Sequence, residues 1–201
     1  MEKKSGLYLK FLQKFFGNNY KLSVAKYISG LCEENSSVLD LGCNDGRMAT
    51  YILQMKPSLK IEGIDVQDNF PCKIKRTLYN GNKIPFPDAS FDIVIAIDAL
   101  HHTEDISAML GEMARVSKKF IIIKDVVKYS WLSNMIIVIA DYISNVKYGI
   151  KCPNNFPDWK EWHLFFKNNS LEIIAQPKNL NFGFGLNERY NPILKLQISE
   201  K

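Results

Sequence analysis

No two cysteines of this chain are spaced Cys-x-x-Cys, and the four present (Cys32, Cys43, Cys72 and Cys152) do not combine with the three histidines into a zinc pattern. Free thiols in a reducing cytosol are expected. Long apolar runs are missing too. Residues 135–140 are wholly apolar, far short of the roughly 20 residues that a membrane-spanning helix needs. A buried helix is expected there, with no stable membrane insertion and membrane-surface contact as the minor alternative. The N-terminus opens on charged residues and lacks the apolar core of a signal peptide. Dense charge is absent as well. The net charge is +5, yet adjacent lysines occur only at Lys3-Lys4 and Lys118-Lys119. Scattered lysines indicate a solvated surface, not a nucleic-acid-binding face. Nor is there an internal repeat, a low-complexity tract or a separating linker. The 201 residues are expected to form one cytoplasmic domain, residues 1–201, with a substantial core.

What is present is concentrated in residues 38–65. Val38-Leu39-Asp40-Leu41 is an apolar strand that runs into the small-residue turn Gly42-Cys43-Asn44-Asp45-Gly46. A helical stretch follows to about Met55 and ends before Pro57. Ile61-Glu62-Gly63-Ile64-Asp65 then supplies a second strand with an acid at its tip. Gly42 and Gly46 allow close backbone approach and angles that a side chain forbids. Asp65 follows Gly46 at a distance that suits a carboxylate accepting from ribose hydroxyls. Further strands are expected at 74–79, 93–97, 120–126, 170–176 and 193–198. Helices are expected at 5–16, 21–32, 104–116, 131–144 and after Asp158, a good N-cap. The apolar run 93–97 implies a strand buried on both faces.

Asp40-Leu41-Gly42-Cys43-Asn44-Asp45-Gly46 resembles the first motif of the class I S-adenosylmethionine-dependent methyltransferases, Asp-x-Gly-x-Gly-x-Gly. Asn44 replaces the middle glycine, and asparagine tolerates left-handed backbone better than most residues. A longer stretch, Ile84-Pro85-Phe86-Pro87-Asp88-Ala89-Ser90-Phe91-Asp92 followed by Ala99-Leu100-His101-His102, resembles the type 11 branch. The resemblance covers roughly residues 38–125. It implies a doubly wound, mostly parallel Rossmann-like α/β sheet of seven strands, the last antiparallel, with helices on both faces. It also implies S-adenosyl-L-methionine as cofactor. Backbone around Gly42, Cys43, Asn44 and Gly46 would hold the methionine part. Asp40 would order the turn from below or reach the amino group through water. Asp65 would hold the ribose, and Val66 and Ile84 would flank the adenine. Asn80 would sit at the adenine edge, where the family commonly has Asp. Asp98, at the end of the fourth strand, converges on the same crevice as Gly42 and Asp65.

Methyl transfer from a sulfonium to a small-molecule acceptor, by in-line displacement, is the activity implied. His101 and His102 are candidate bases. The structural role, capping a helix or packing beneath the site, is favoured for each, because a pair shared across many substrates does not suit substrate-specific chemistry. The region after residue 127, with a helical insertion at 127–170, is expected to form the acceptor side, with Tyr129, Trp131, Tyr148, Phe156, Trp159, Trp162, His163 and Arg189 as candidates. Most of these aromatics are expected in the core. Residues 1–36 are expected to pack on the core or to form a lid, with Tyr8 or Tyr20 touching ligand in the second case. Two other functions compete. One is a catalytically silent S-adenosylmethionine-binding regulator. The other is a nicotinamide-dependent oxidoreductase, which needs a Gly-x-Gly-x-x-Gly turn that this chain lacks.

Overall fold

Alternation of apolar side chains sorts the strands onto two buried faces of one sheet. The computed structural model describes residues 19–131, 135, 138, 142, 155–178 and 191–199. The strands are β1 (Ser37–Leu41), β2 (Lys60–Asp65), β3 (Arg76–Leu78), β4 (Phe91–Ile97), β5 (Ser117–Lys124), β6 (Leu171–Ala175) and β7 (Ile193–Ile198). They form one seven-stranded sheet in the order β3-β2-β1-β4-β5-β7-β6. Pairings from β3 through β5 are parallel, and β7 runs antiparallel to both β5 and β6. The order reverses between β1 and β4, which places a crevice beyond their carboxyl ends. This is the doubly wound sheet expected from the sequence, including the antiparallel last strand.

One face carries Leu39, Leu41, Val94, Ala96, Ile121 and Ile123. They pack on helices α3 (Ile106–Val116) and α4 (Trp159–Asn168). The other carries Val38, Ile93, Ile95 and Ile122, packed under α1 (residues 19–31) and α2 (Arg47–Met55). Helices thus cover both faces, as a parallel sheet requires. Asp158 caps α4 through a capping box, with its carboxylate accepting from the Lys160 and Glu161 amides at 2.8 and 2.9 Å. Trp162 and Phe166 of α4 are buried in the core.

The last parallel strand departs from expectation at both ends. No turn precedes it: Ser117 opens β5 directly after Val116, and the strand stops at Lys124 instead of continuing to Val126. The register with β4 shifts between Phe91 and Ile93, which absorbs the irregular entry. The third strand is also shorter than the sequence suggested. The expected helix 5–16, with Tyr8, lies outside the described residues. So do Tyr148 and Arg189. No helix among the described residues is long and apolar enough to cross a membrane.

The segment 84–92 is stapled to α3. The Arg115 guanidinium donates to the carbonyls of Phe86 and Ile84, each at 2.9 Å, and to Asp88 at 2.8 Å. Glu112, which also binds Arg115, accepts from the Ile84 amide at 2.9 Å. Phe86 and Phe91 meet edge to face at 5.0 Å. Asp92 accepts from the amide and the hydroxyl of Ser37, so it fixes the start of β1. The motif that most specifically resembled the family is therefore an architectural device.

Candidate functional site

A cleft of about 470 Å³ opens at the carboxyl ends of β1, β2 and β4. The turn after β1 forms its floor. Gly42 and Cys43 both donate to the Ile64 carbonyl, at 2.9 and 3.1 Å. Gly42 (φ +74°) has no room for a side chain, since a Cβ there would lie 2.8 Å from that of Ala99. Asn44 adopts φ 47°, so the substitution for glycine leaves the left-handed turn intact. Gly46 (φ 70°) caps α2 without any side-chain bond.

Asp65, at the tip of β2, braces this turn. One carboxylate oxygen accepts from the Asn44 amide at 2.8 Å, the other from the Gln67 amide at 3.0 Å. Arg76 ties the same wall together. Its guanidinium donates to the carbonyls of Asn44 (2.9 Å) and Phe70 (3.1 Å) and pairs with Asp68. Tyr79 completes that side, and burial beside Asp65 pushes its phenol up to about 12. Asp40 is buried beneath the floor. Burial and the nearby Asp65 carboxylate push its carboxyl up to about 7.

At the opposite end, Asp98 (φ 51°) ends β4 in a left-handed conformation, and its carboxylate accepts from Tyr20 of α1 and from Lys124 of β5. Burial alone would lower the Lys124 pKa, but Asp98 and Tyr20 outweigh it and hold the ammonium above the ordinary lysine value. A short helical turn, Leu100–His102, follows. The buried Asp125 carboxylate accepts from the Leu100 amide at 2.9 Å and the Val126 amide at 2.7 Å, and meets His101 Nδ1 at 2.5 Å. Burial opposes ionisation of Asp125, yet the His101 ring and these donors hold it below the usual carboxylate range. The His101 ring stacks on Phe156, 5.2 Å between centroids.

The cleft thus gathers Gly42, Asn44, Asp65, Val66, Asn80, Asp98 and His102 from the residues the sequence singled out. It does not take in the others. Asp40, Cys43, Ile84 and His101 are buried, and Gly46 is not among the lining residues. Ile84, expected beside the adenine, is 1% exposed within the core. Asn80 turns its side-chain oxygen onto the Asn82 amide at 3.0 Å. Trp162 and Phe156 are core residues, whereas Trp131 is 78% exposed. Arg76, Tyr79, Lys124 and Asp125 were not anticipated. For Lys124-Asp125 a signal existed: two charges ending the apolar run Phe120-Ile121-Ile122-Ile123. Among the described residues, no cluster of side chains is suited to hold a metal ion.

Sheet order, glycine turn and an acid at the second strand tip define the Rossmann-like methyltransferase fold. Comparisons with known proteins agree. The family described as "Methyltransferase domain", type 11, matches residues 39–120. Residues 39–120 are thus similar to the type 11 methyltransferase domains. A tRNA U34 carboxymethyltransferase of Nautilia profundicola is 32% identical over 91 residues, which is 40% of this chain and 30% of that protein. A 27-O-demethylrifamycin SV methyltransferase of Amycolatopsis mediterranei is 27% identical over 92 residues, 39% of this chain and 34% of that one. The chain therefore spans about a third of the length of these relatives. In fold it is similar to the structure of a methyltransferase from Thermotoga maritima, a possible histamine N-methyltransferase. That likeness has a TM-score of 0.64 at 17% identity and covers 98% of each chain.

Proposed function

We propose that the protein transfers a methyl group from S-adenosylmethionine to a small-molecule acceptor. One observation carries the reading. A single cleft joins a left-handed turn closed to side chains, the carboxylate of Asp65 and the carboxylate of Asp98. That donor and acceptor set suits an elongated ligand with ribose hydroxyls and an amino-acid end. Asp65 would hold the ribose through the lone pairs left after its two amide bonds. Gly42 and Asn44 would present backbone to the methionine part, and Val66 and Asn80 would border the base. Cys43, Asp40 and Ile84 support this set from behind.

When bound, the cofactor supplies a methyl group already activated by its sulfonium. The protein's own task is then alignment of the acceptor and exclusion of water. Residues 127–170 and the N-terminal segment would form the acceptor side of one domain. His102 lines the cleft, which supports it as the histidine that would meet an acceptor. His101 is held by Asp125 beneath it and serves the structure. Scattered lysines favour a small molecule over tRNA, and the free thiols of Cys32, Cys43 and Cys72 suit a cytoplasmic enzyme. The test is transfer of labelled methyl from S-adenosylmethionine into fractionated cell extract. Label in the metabolite fraction is expected. Label confined to RNA would overturn the acceptor class, and no label anywhere would favour a silent binding protein.

A further inference from the structure

The cluster beneath Asp98 is larger than alignment of one carboxylate within a loop requires. Lys124 is 1% exposed at the end of β5. Its ammonium donates to Asp98 Oδ1 and to Asn191 Oδ1, the latter at 2.9 Å, and lies 5.2 Å from the centroid of the Tyr20 ring. The Tyr20 hydroxyl donates to the second carboxylate oxygen, Asp98 Oδ2, at 3.1 Å. Asp98 is also anchored through its backbone, which donates to the Lys124 carbonyl at 2.7 Å. Four segments thus meet in one cluster: α1, the end of β4, the end of β5 and, through Lys124, the segment just before β7.

A buried ion pair is costly to desolvate, and an apolar pair would close the sheet end as well. Such a pair on a cleft wall points to use in the site. Each Asp98 oxygen can accept more than one bond, and the side chain keeps 34% of its surface open. Its neighbour Ala99 abuts Gly42 of the glycine turn, and Asp98 and Gly42 line the same cleft. A ligand with its ribose at Asp65 that crosses this turn brings its other end to Asp98.

We propose that Lys124 and Tyr20 are positioning residues that fix Asp98 to receive the ammonium group at the amino-acid end of the cofactor. The proposal rests on the cofactor reading above. Lys124 stands behind the carboxylate, enclosed by Asn191 and the Tyr20 ring, so it orients Asp98 without occupying the cleft.

Two ligands separate this role from plain stability. S-adenosylhomocysteine carries the ammonium; 5′-methylthioadenosine keeps the adenosyl part and lacks the amino-acid end. Calorimetric titration of both into the wild type, Tyr20→Phe and Lys124→Met reads the difference. Each variant is expected to weaken S-adenosylhomocysteine about tenfold or more, the scale of one hydrogen bond to a charged group. 5′-Methylthioadenosine should change by less than about twofold on the same scale. Equal weakening of both ligands, or no change in either, overturns the proposal and leaves the cofactor reading standing. A wild type that binds neither ligand removes both. Tyr20→Phe loses one hydroxyl only, so it carries the test by itself if Lys124→Met does not fold.

Discussion

Asp65 is gripped by two backbone amides before any ligand arrives, so its orientation is preset. Asp65→Ala should therefore both loosen the turn and remove the ribose contact. A 10- to 100-fold loss of S-adenosylmethionine affinity by calorimetry is expected, about 1.5–3 kcal/mol for bonds to a charged group. The two histidines should separate cleanly. His101→Ala leaves Asp125 buried without its partner and should cost about 3–5 kcal/mol in urea unfolding. His102→Ala, at the cleft wall, should unfold within about 1 kcal/mol of the wild type. Asp40 gives a pH signature. Its carboxyl is raised from 3.8 to about 7 in the fold. Between those values the folded state holds a proton that the unfolded state has released, so stability falls as pH rises through this window. Asp40→Asn removes that loss. Its stability advantage over the wild type should grow by about 2–3 kcal/mol from pH 5 to pH 8, at about 1.4 kcal/mol per unit.

At the scale of elements, much was legible because periodicity and turn chemistry agree with the fold. The ends of β1 and β7 and the cap of α4 fall where apolar alternation and Asp158 put them. What was not legible lies where a long-range partner decides. Ile84 reads as an apolar residue near a cleft, yet Glu112 and Arg115, far along the chain, draw its backbone into the core. His101-His102 reads as a pair, yet Asp125 buries one and leaves the other on the wall. Residues 117–119 fall before the strand expected from Phe120, yet Ser117 pairs with Phe91 and draws them into β5. The Arg115 staple gives a prediction at this scale. Arg115→Ala should release segment 84–92 and lower stability by about 2–3 kcal/mol in urea unfolding. Affinity for S-adenosylmethionine should fall far less than in Asp65→Ala, because the staple lies behind the cleft.

For the whole molecule, the reversal of strand order between β1 and β4 decides where the crevice opens. It sets Gly42 against Ala99 and aligns Asp65 and Asp98 on one crevice, which no local stretch of sequence could do alone. The central claim is that this crevice takes S-adenosylmethionine. Titration calorimetry with S-adenosylmethionine and NAD, on the wild type and on Gly42→Val, tests it most directly. The valine would need φ +74° and would drive its side chain into Ala99. We predict one site for S-adenosylmethionine, none for NAD, and loss of binding in the variant. Binding of NAD in place of S-adenosylmethionine, or S-adenosylmethionine binding that survives in a folded Gly42→Val protein, would contradict the account.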